Sequence, residues 1–250
     1  MLNVIRHGTP TDRPPVLIAH GLFGSARNWN MIAKRLADER EVIAVDMRNH
    51  GASPWFETQS YQDMAGDLAE ILDRPTDVLG HSMGGKSAMM LALLHPEQVH
   101  RMIVADIAPV AYGHSQMQYI DAMRAVDLTQ VARRSDAVAQ LADLGVAEME
   151  QSFLTQSLDL PEKRWRLNLD TLAAEMPKIL SFPQVEAQFE RPTLFLSGAA
   201  SHYVQPEYRP RIKTLFPAAR FAKLPGAGHW LHAEKPREFE AAVRTFLNAA

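Results

Sequence analysis

The chain has 250 residues, 46% of them hydrophobic and 22% charged, which suits one large α/β domain or two small ones with a sizeable buried core. A net charge of −3, with both signs mixed along the chain, gives no electrostatic ground for a nucleic-acid partner or for stable attachment to an anionic membrane. With no cysteine, disulfides, thiolate metal sites and cysteine nucleophiles are excluded, and a reducing compartment is compatible. The opening Met1–His7 lacks a basic start followed by a long apolar stretch, and the longest apolar run, Met89–Leu94, is too short to span a bilayer. A cytoplasmic location is the expectation. Composition leaves the oligomeric state undefined.

Taken in chain order, Val16–Ala19, Val42–Val45 and Met102–Ala105 are continuous apolar runs. Such runs predict strands buried on both faces, as in a parallel sheet covered by helices. Helices are predicted near Asn28–Asp38, Tyr61–Asp73 and Ser82–His95, and this alternation predicts an α/β fold with a mainly parallel, doubly wound sheet. From about Tyr112 to Phe189 strand-like runs vanish and helical segments take over. Ser135 reads as a helix N-cap with Gly145 as its stop, and Asp170 as the cap of a helix ending near Pro177. The sheet pattern resumes at Thr193–Ser197 and Arg220–Leu224, and a last helix, about Arg237–Leu247, follows Pro236. The expected organisation is an α/β core of residues 1–111 and 190–250, interrupted by a helical cap of residues 112–189.

Gly80-His81-Ser82-Met83-Gly84 matches G-x-S-x-G between a strand, Asp77–Leu79, and a helix, Lys86–His95. In that setting the Ser occupies a strained strand-to-helix turn, and the glycines admit a close approach of strand and helix. Ser82 is the candidate nucleophile. The amide following it, Met83, is one candidate oxyanion donor. The second is sought in His20-Gly21-Leu22-Phe23-Gly24, after the Val16–Ala19 strand; Leu22 is preferred, with the neighbouring Phe23 as the alternative.

The candidate base is His229, in Gly226-Ala227-Gly228-His229-Trp230 after the last predicted strand. A neutral imidazole titrates near the working pH, so it can take the Ser proton and return it to a leaving group. His232 competes but reads as the start of the final helix. The acid is less direct. The loop after Thr193–Ser197 carries Ser201 where many hydrolases of this order carry Asp, so either the triad is a dyad or the carboxylate has moved. Asp106, at the end of the Met102–Ala105 strand and 24 residues after Ser82, is the best substitute. Asp46 also ends a strand but belongs on the other side of Ser82.

These segments, with Val45-Asp46-Met47-Arg48-Asn49-His50-Gly51, Asp106-Ile107-Ala108-Pro109-Val110 and His232-Ala233-Glu234-Lys235-Pro236, closely resemble the YbfF-type esterases of the α/β-hydrolase superfamily. The resemblance spans both halves of the core and is weakest in the helical insertion. It implies an esterase of short- to medium-chain acyl esters, with acyl-CoA thioesters as further candidates, acting on a small-molecule substrate without metal or organic cofactor. It also supports Asp106 as the acid, because relatives of this kind lack the later Asp as well. An N-terminal strand of longer relatives is expected to be shortened or absent here.

Asn49 and His50 are read as a turn-stabilising pair that could also touch substrate, and Lys86 as a buried or half-buried helix residue with a local partner, not as a catalytic base. For an apolar acyl pocket the candidates are Phe23, Met117, Phe153, Trp165 and Trp230, with Tyr119, Met123 and Leu154 beside them. Each competes with a role in packing cap against core. Dehalogenases and epoxide hydrolases use an Asp nucleophile, and Ser82 argues against both. A carbon–carbon hydrolase, a lyase and a non-catalytic ligand receptor on the same fold stay open as alternatives.

Overall fold

The computed structural model describes residues 1–249. Its strands are β1 (Val4–His7), β2 (Val16–Ala19), β3 (Val42–Val45), β4 (Thr76–His81), β5 (Val99–Ala105), β6 (Leu158–Asp159), β7 (Arg164–Trp165), β8 (Thr193–Gly198) and β9 (Ala219–Leu224). The helices are α1 (Asn30–Leu36), α2 (Tyr61–Ala69), α3 (Met83–Leu94), α4 (Met117–Ala125), α5 (Arg134–Asp143), α6 (Glu148–Leu154), α7 (Leu169–Ala174), α8 (Met176–Leu180), α9 (Arg209–Leu215), α10 (Leu231–Glu234) and α11 (Pro236–Leu247).

Seven strands make one sheet in the order β1-β3-β2-β4-β5-β8-β9. All pairings are parallel except that of β1 with β3. The apolar runs are continuous because each strand feeds two cores. Val16 and Ile18 of β2, Leu79 of β4 and Ile103 and Ala105 of β5 pack with Trp29, Ile32, Phe239 and Val243, on the face of α1 and α11. Leu17, Ala19, Val78, Met102 and Val104 turn the other way, toward Met64 and Leu68 of α2 and Met89 and Met90 of α3. A single-faced sheet would have read as alternation.

The sheet order reverses between β2 and β4: β3 and β1 lie to one side, β5, β8 and β9 to the other. The loops leaving the carboxyl ends of two adjacent strands therefore diverge to opposite faces, which opens a crevice there. Ser82 follows β4 and His20–Gly24 follows β2, so both border that crevice.

Between β5 and β8 the chain adds α4–α8 and the antiparallel β6–β7 pair, and no strand to the main sheet. Several local expectations are corrected. The N-terminal strand is not absent: it is present as the four-residue β1. The β6–β7 hairpin lies where no strand was expected; its two-residue arms are too short to carry a pattern. Ser135 lies inside α5, whose N-cap is Arg133, while Gly145 follows the helix at φ +80°, a conformation that favours glycine. Asn168, not Asp170, caps α7, its side chain accepting from the Thr171 amide, and Pro177 belongs to the next helix, α8. Among the described residues no helix is long and apolar enough to cross a membrane.

Candidate active site

Ser82 sits between β4 and α3 at φ 52° and ψ −120°, outside the conformations an L-residue ordinarily adopts. The turn is over-determined by its glycines. A Cβ on Gly80 would lie 2.2 Å from the Gly84 carbonyl oxygen, and one on Gly84 would lie 2.2 Å from that of Ala19. Backbone therefore meets backbone on both sides of the serine, which lifts its side chain out of the sheet edge.

Phe23 and Asp106 also hold positive φ, 64° and 52°. Three non-glycine residues bordering one site thus occupy a region that costs of order 1–3 kcal/mol each. Neither Phe nor Asp announces this in the sequence.

His229 lies with Nε2 3.2 Å from Ser82 Oγ and Nδ1 2.7 Å from Asp106 Oδ2. Asp106 is fully buried. Its Oδ1 accepts from the Gly198 amide at 3.1 Å, and its Oδ2 also accepts from the Ser201 hydroxyl. The register of β5 against β8 explains this: Ala105 pairs with Leu196, so the residue after β5 faces the end of β8 and the loop carrying Ser201. The carboxylate reaches the imidazole from the neighbouring strand, and the Ser in the usual acid position becomes its hydrogen-bond donor. Asp46 lies on the far side of β2, as expected from its strand. It accepts from the amides of Ala26 and Ala52 at 2.7 and 2.9 Å and holds the loop there.

Two further residues hold His229. The Tyr203 ring stacks on it with centroids 4.0 Å apart at 23°. Burial pushes the Tyr203 phenol up to about 12, so it stays neutral. His81 Nε2 lies 2.9 Å from the His229 carbonyl oxygen and donates to it. Burial, followed by the neighbouring imidazoles of His229 and His232, holds His81 well below the ordinary histidine range, which keeps it neutral. Sequence reasoning missed both: stacking leaves no motif, and His81 was only a variable position inside the elbow. His232 is buried and stacks on Trp29 at 4.1 Å, while the hydrogen-bond partner of Ser82 Oγ is His229.

In the loop after β2, the Phe23 amide donates to His50 Nε2 at 3.2 Å. His50 Nδ1 donates in turn to the Arg48 carbonyl at 2.7 Å, and burial draws the His50 pKa down to about 3. This neutral imidazole therefore consumes one of the two amides considered for the oxyanion. The amides of Leu22 and Met83 donate to no acceptor among the described residues. Asn49 closes the same turn, donating to Thr58 O at 3.0 Å and Gln59 Oε1 at 2.8 Å.

Ser82 opens into a cavity of about 310 Å³. Phe23, Phe153 and Trp230 line it, as do Tyr119, Leu154, Met83 and Ile107. Met117, Met123 and Trp165 do not, which corrects the expectation for all three. Trp165 is buried, its indole donating to the Met123 carbonyl at 2.8 Å, and Met117 packs against the core. Lys86 is also corrected in one respect: its partners are distant in the chain, not local.

The family described as alpha/beta hydrolase fold matches residues 14–236. Mouse sn-1-specific diacylglycerol lipase ABHD11 is 43% identical over 249 residues, covering 94% of this chain and 81% of the relative. Esterase YbfF of Escherichia coli strain K12 is 37% identical over 242 residues, covering 95% and 94%. A solved structure titled marine microorganism esterase superposes with a TM-score of 0.92 at 35% identity, covering 98% of each chain. The chain belongs to the α/β-hydrolase fold family. Within it, the chain falls in the branch of the YbfF-type esterases, a group of carboxylic ester hydrolases.

Proposed function

We propose that this protein is a serine esterase that hydrolyses short- to medium-chain acyl esters through Ser82, His229 and Asp106. The observation that carries the reading is the continuous relay from Ser82 Oγ to His229 Nε2 at 3.2 Å and from His229 Nδ1 to Asp106 at 2.7 Å, opening into an apolar cavity. Asp106 holds the imidazole with its proton on Nδ1, so Nε2 is free to accept the proton of Ser82. Ser82 attacks the acyl carbonyl, and the amides of Leu22 and Met83 receive the oxyanion. Each such donor contributes about 2.7–4 kcal/mol to the transition state. The alcohol departs with the proton now on His229. Water, deprotonated by the same imidazole, then releases the acid and restores Ser82.

A cavity of about 310 Å³ is at the small end of ligand pockets, which run from about 300 to 1,000 Å³, a fit for a short to medium acyl chain. Phe23, Tyr119, Phe153 and Leu154 supply its apolar wall. In this reading residues 112–189 form the cap over a core of residues 1–111 and 190–250. Thioesters of the same chains, acyl-CoA among them, present the same carbonyl and form the second substrate class. The cysteine-free chain suits a reducing compartment, and the cytoplasm is the proposed place of action.

The test uses a fluorophosphonate probe and p-nitrophenyl acetate, butyrate and octanoate. Labelling and ester hydrolysis by the wild type, both abolished in Ser82→Ala, are the expected result, with a loss on the order of 10⁴–10⁶ in turnover. Near-normal hydrolysis by Ser82→Ala would overturn the nucleophile, and a wild type inert to both reagents would overturn the esterase.

A further inference from the structure

Lys86 lies one turn into α3, its amide bonded to the Ser82 carbonyl at 3.0 Å. It is 1% exposed, and among the described residues no carboxylate pairs with it. Its ammonium donates instead to three carbonyl oxygens: Val110 at 2.9 Å, Leu180 at 3.0 Å and Ser181 at 2.6 Å. The Tyr112 and Tyr61 rings lie 4.8 and 5.7 Å from Nζ, within reach of a cation–π attraction. Only the charged form has three protons for three acceptors; a neutral amine would leave one carbonyl facing its lone pair.

The three acceptors belong to two segments. Val110 lies where the chain leaves the sheet after β5. Leu180 and Ser181 lie at the end of α8, where it turns back toward β8. These are the two stems of the insertion. They are joined to each other by the Tyr112 amide, which donates to Leu180 O at 3.0 Å, and to the core by the Tyr61 hydroxyl, which donates to Ile179 O at 2.6 Å. The C-terminal carbonyls of α8 would be orphans without such donors. Here Ile179, Leu180 and Ser181 are each satisfied by side chains of the core or by the other stem. Lys86, Tyr61, Tyr112, Ile179 and Leu180 also line the cavity, so the joint of the two stems is part of its wall.

We propose that the Lys86 ammonium is a positioning residue that pins both stems of the insertion to the nucleophile helix, and that this pin sets acyl-chain selectivity. The selectivity half rests on the esterase reading above; the pin itself does not. Lys86 contacts no reacting atom. It acts by fixing where the inserted helices sit over Ser82, and a chain long enough to touch them senses that position while an acetyl group does not.

Hydrogen exchange of the wild type tests the pin without any variant. The amides of Tyr112, Ile179 and Ser181 should exchange at rates comparable to the central sheet. Exchange as fast as in exposed loops would overturn the pin. In Lys86→Met these amides should exchange at least tenfold faster while β2, β4 and β5 are unchanged; equal protection in variant and wild type would also overturn it. Selectivity is read with the active fraction counted by fluorophosphonate titration, so that partial misfolding cancels. The octanoate-to-acetate ratio of kcat/KM should fall at least fivefold in Lys86→Met. An unchanged ratio with faster exchange would remove the link to selectivity. A wild type inert to every ester would reject the esterase reading, while the exchange result would still decide the pin.

Discussion

The carboxylate of Asp106 meets Nδ1 of His229 at 2.7 Å across 123 positions of chain, and it does so from β5, one strand nearer Ser82 than the loop that carries Ser201. With Gly198 and Ser201 donating to the same carboxylate, the buried charge has three donors and is held rigidly.

Exchange of that carboxylate for an amide should therefore be costly. Asp106→Asn turns an N–H toward the Nδ1 proton or forces the other tautomer, which removes the acceptor at Nε2. Turnover should fall by about 10⁴-fold, the scale for a triad carboxylate replaced by an amide. Steady-state kinetics on p-nitrophenyl butyrate, with circular dichroism to verify folding, check this. A fall of less than tenfold would assign the acid elsewhere or make the site a dyad.

Ser201→Ala removes one donor from Asp106 and leaves His229 paired. The expected result is a kcat lowered by about tenfold, equal to about 1.4 kcal/mol, close to the low end of the roughly 1.5–3 kcal/mol range for a hydrogen bond to a charged group. KM should be unchanged, since Ser201 does not line the cavity. Ser201→Asp should be worse than Ser201→Ala, because two carboxylates would then compete for one imidazole. Parallel kcat and KM measurements decide both points.

Acid stability should be governed in part by buried neutral histidines. Burial draws His50 and His232 down to about 3 from 6.5, and His20 and His81 are also lowered, first by burial. Between those values the unfolded chain binds protons that the folded chain refuses. Stability should be fully present above pH 6.5 and be lost as the pH falls toward 3, by up to about 1.4 kcal/mol per pH unit for each histidine. Urea unfolding at pH 5, 6 and 7 measures the slope. His232→Phe, which keeps the stacking partner of Trp29, should make it shallower by about one proton; an unaltered slope would remove His232 from the account.

Two aromatics of the segment between β5 and β8 should behave differently. Phe153→Ala enlarges the cavity it lines and should move the acyl preference toward longer chains, with at least a threefold change in the octanoate-to-acetate ratio of kcat/KM. Trp165→Phe should leave that ratio alone. Its cost is stability, about 1–3 kcal/mol, because the Met123 carbonyl loses a buried donor. A selectivity change in Trp165→Phe would return that residue to the cavity wall.

Much of this protein is decided locally, and its sequence alone determined those parts. The sheet was legible because burial of a strand on both faces demands a continuous apolar run, as in Val16–Ala19 and Val42–Val45. The Ser82 turn was legible because close backbone approach tolerates only glycine at positions 80 and 84, and chain order pointed to His229. The rest needed tertiary structure. No pattern near Asp106 or Ser201 records that the β5–β8 register brings them together, that Tyr203 stacks on His229, or that His50 occupies the Phe23 amide. The Lys86 ammonium finds its acceptors far along the chain; they are backbone carbonyls, which every residue carries and no sequence distinguishes. Packing of the inserted helices turned Trp165 inward and Phe153 toward Ser82, a choice between two apolar surfaces that hydrophobicity scores alike. What separated legible from hidden was range: short contacts constrain residue type at fixed spacing, whereas contacts across the sheet constrain only geometry.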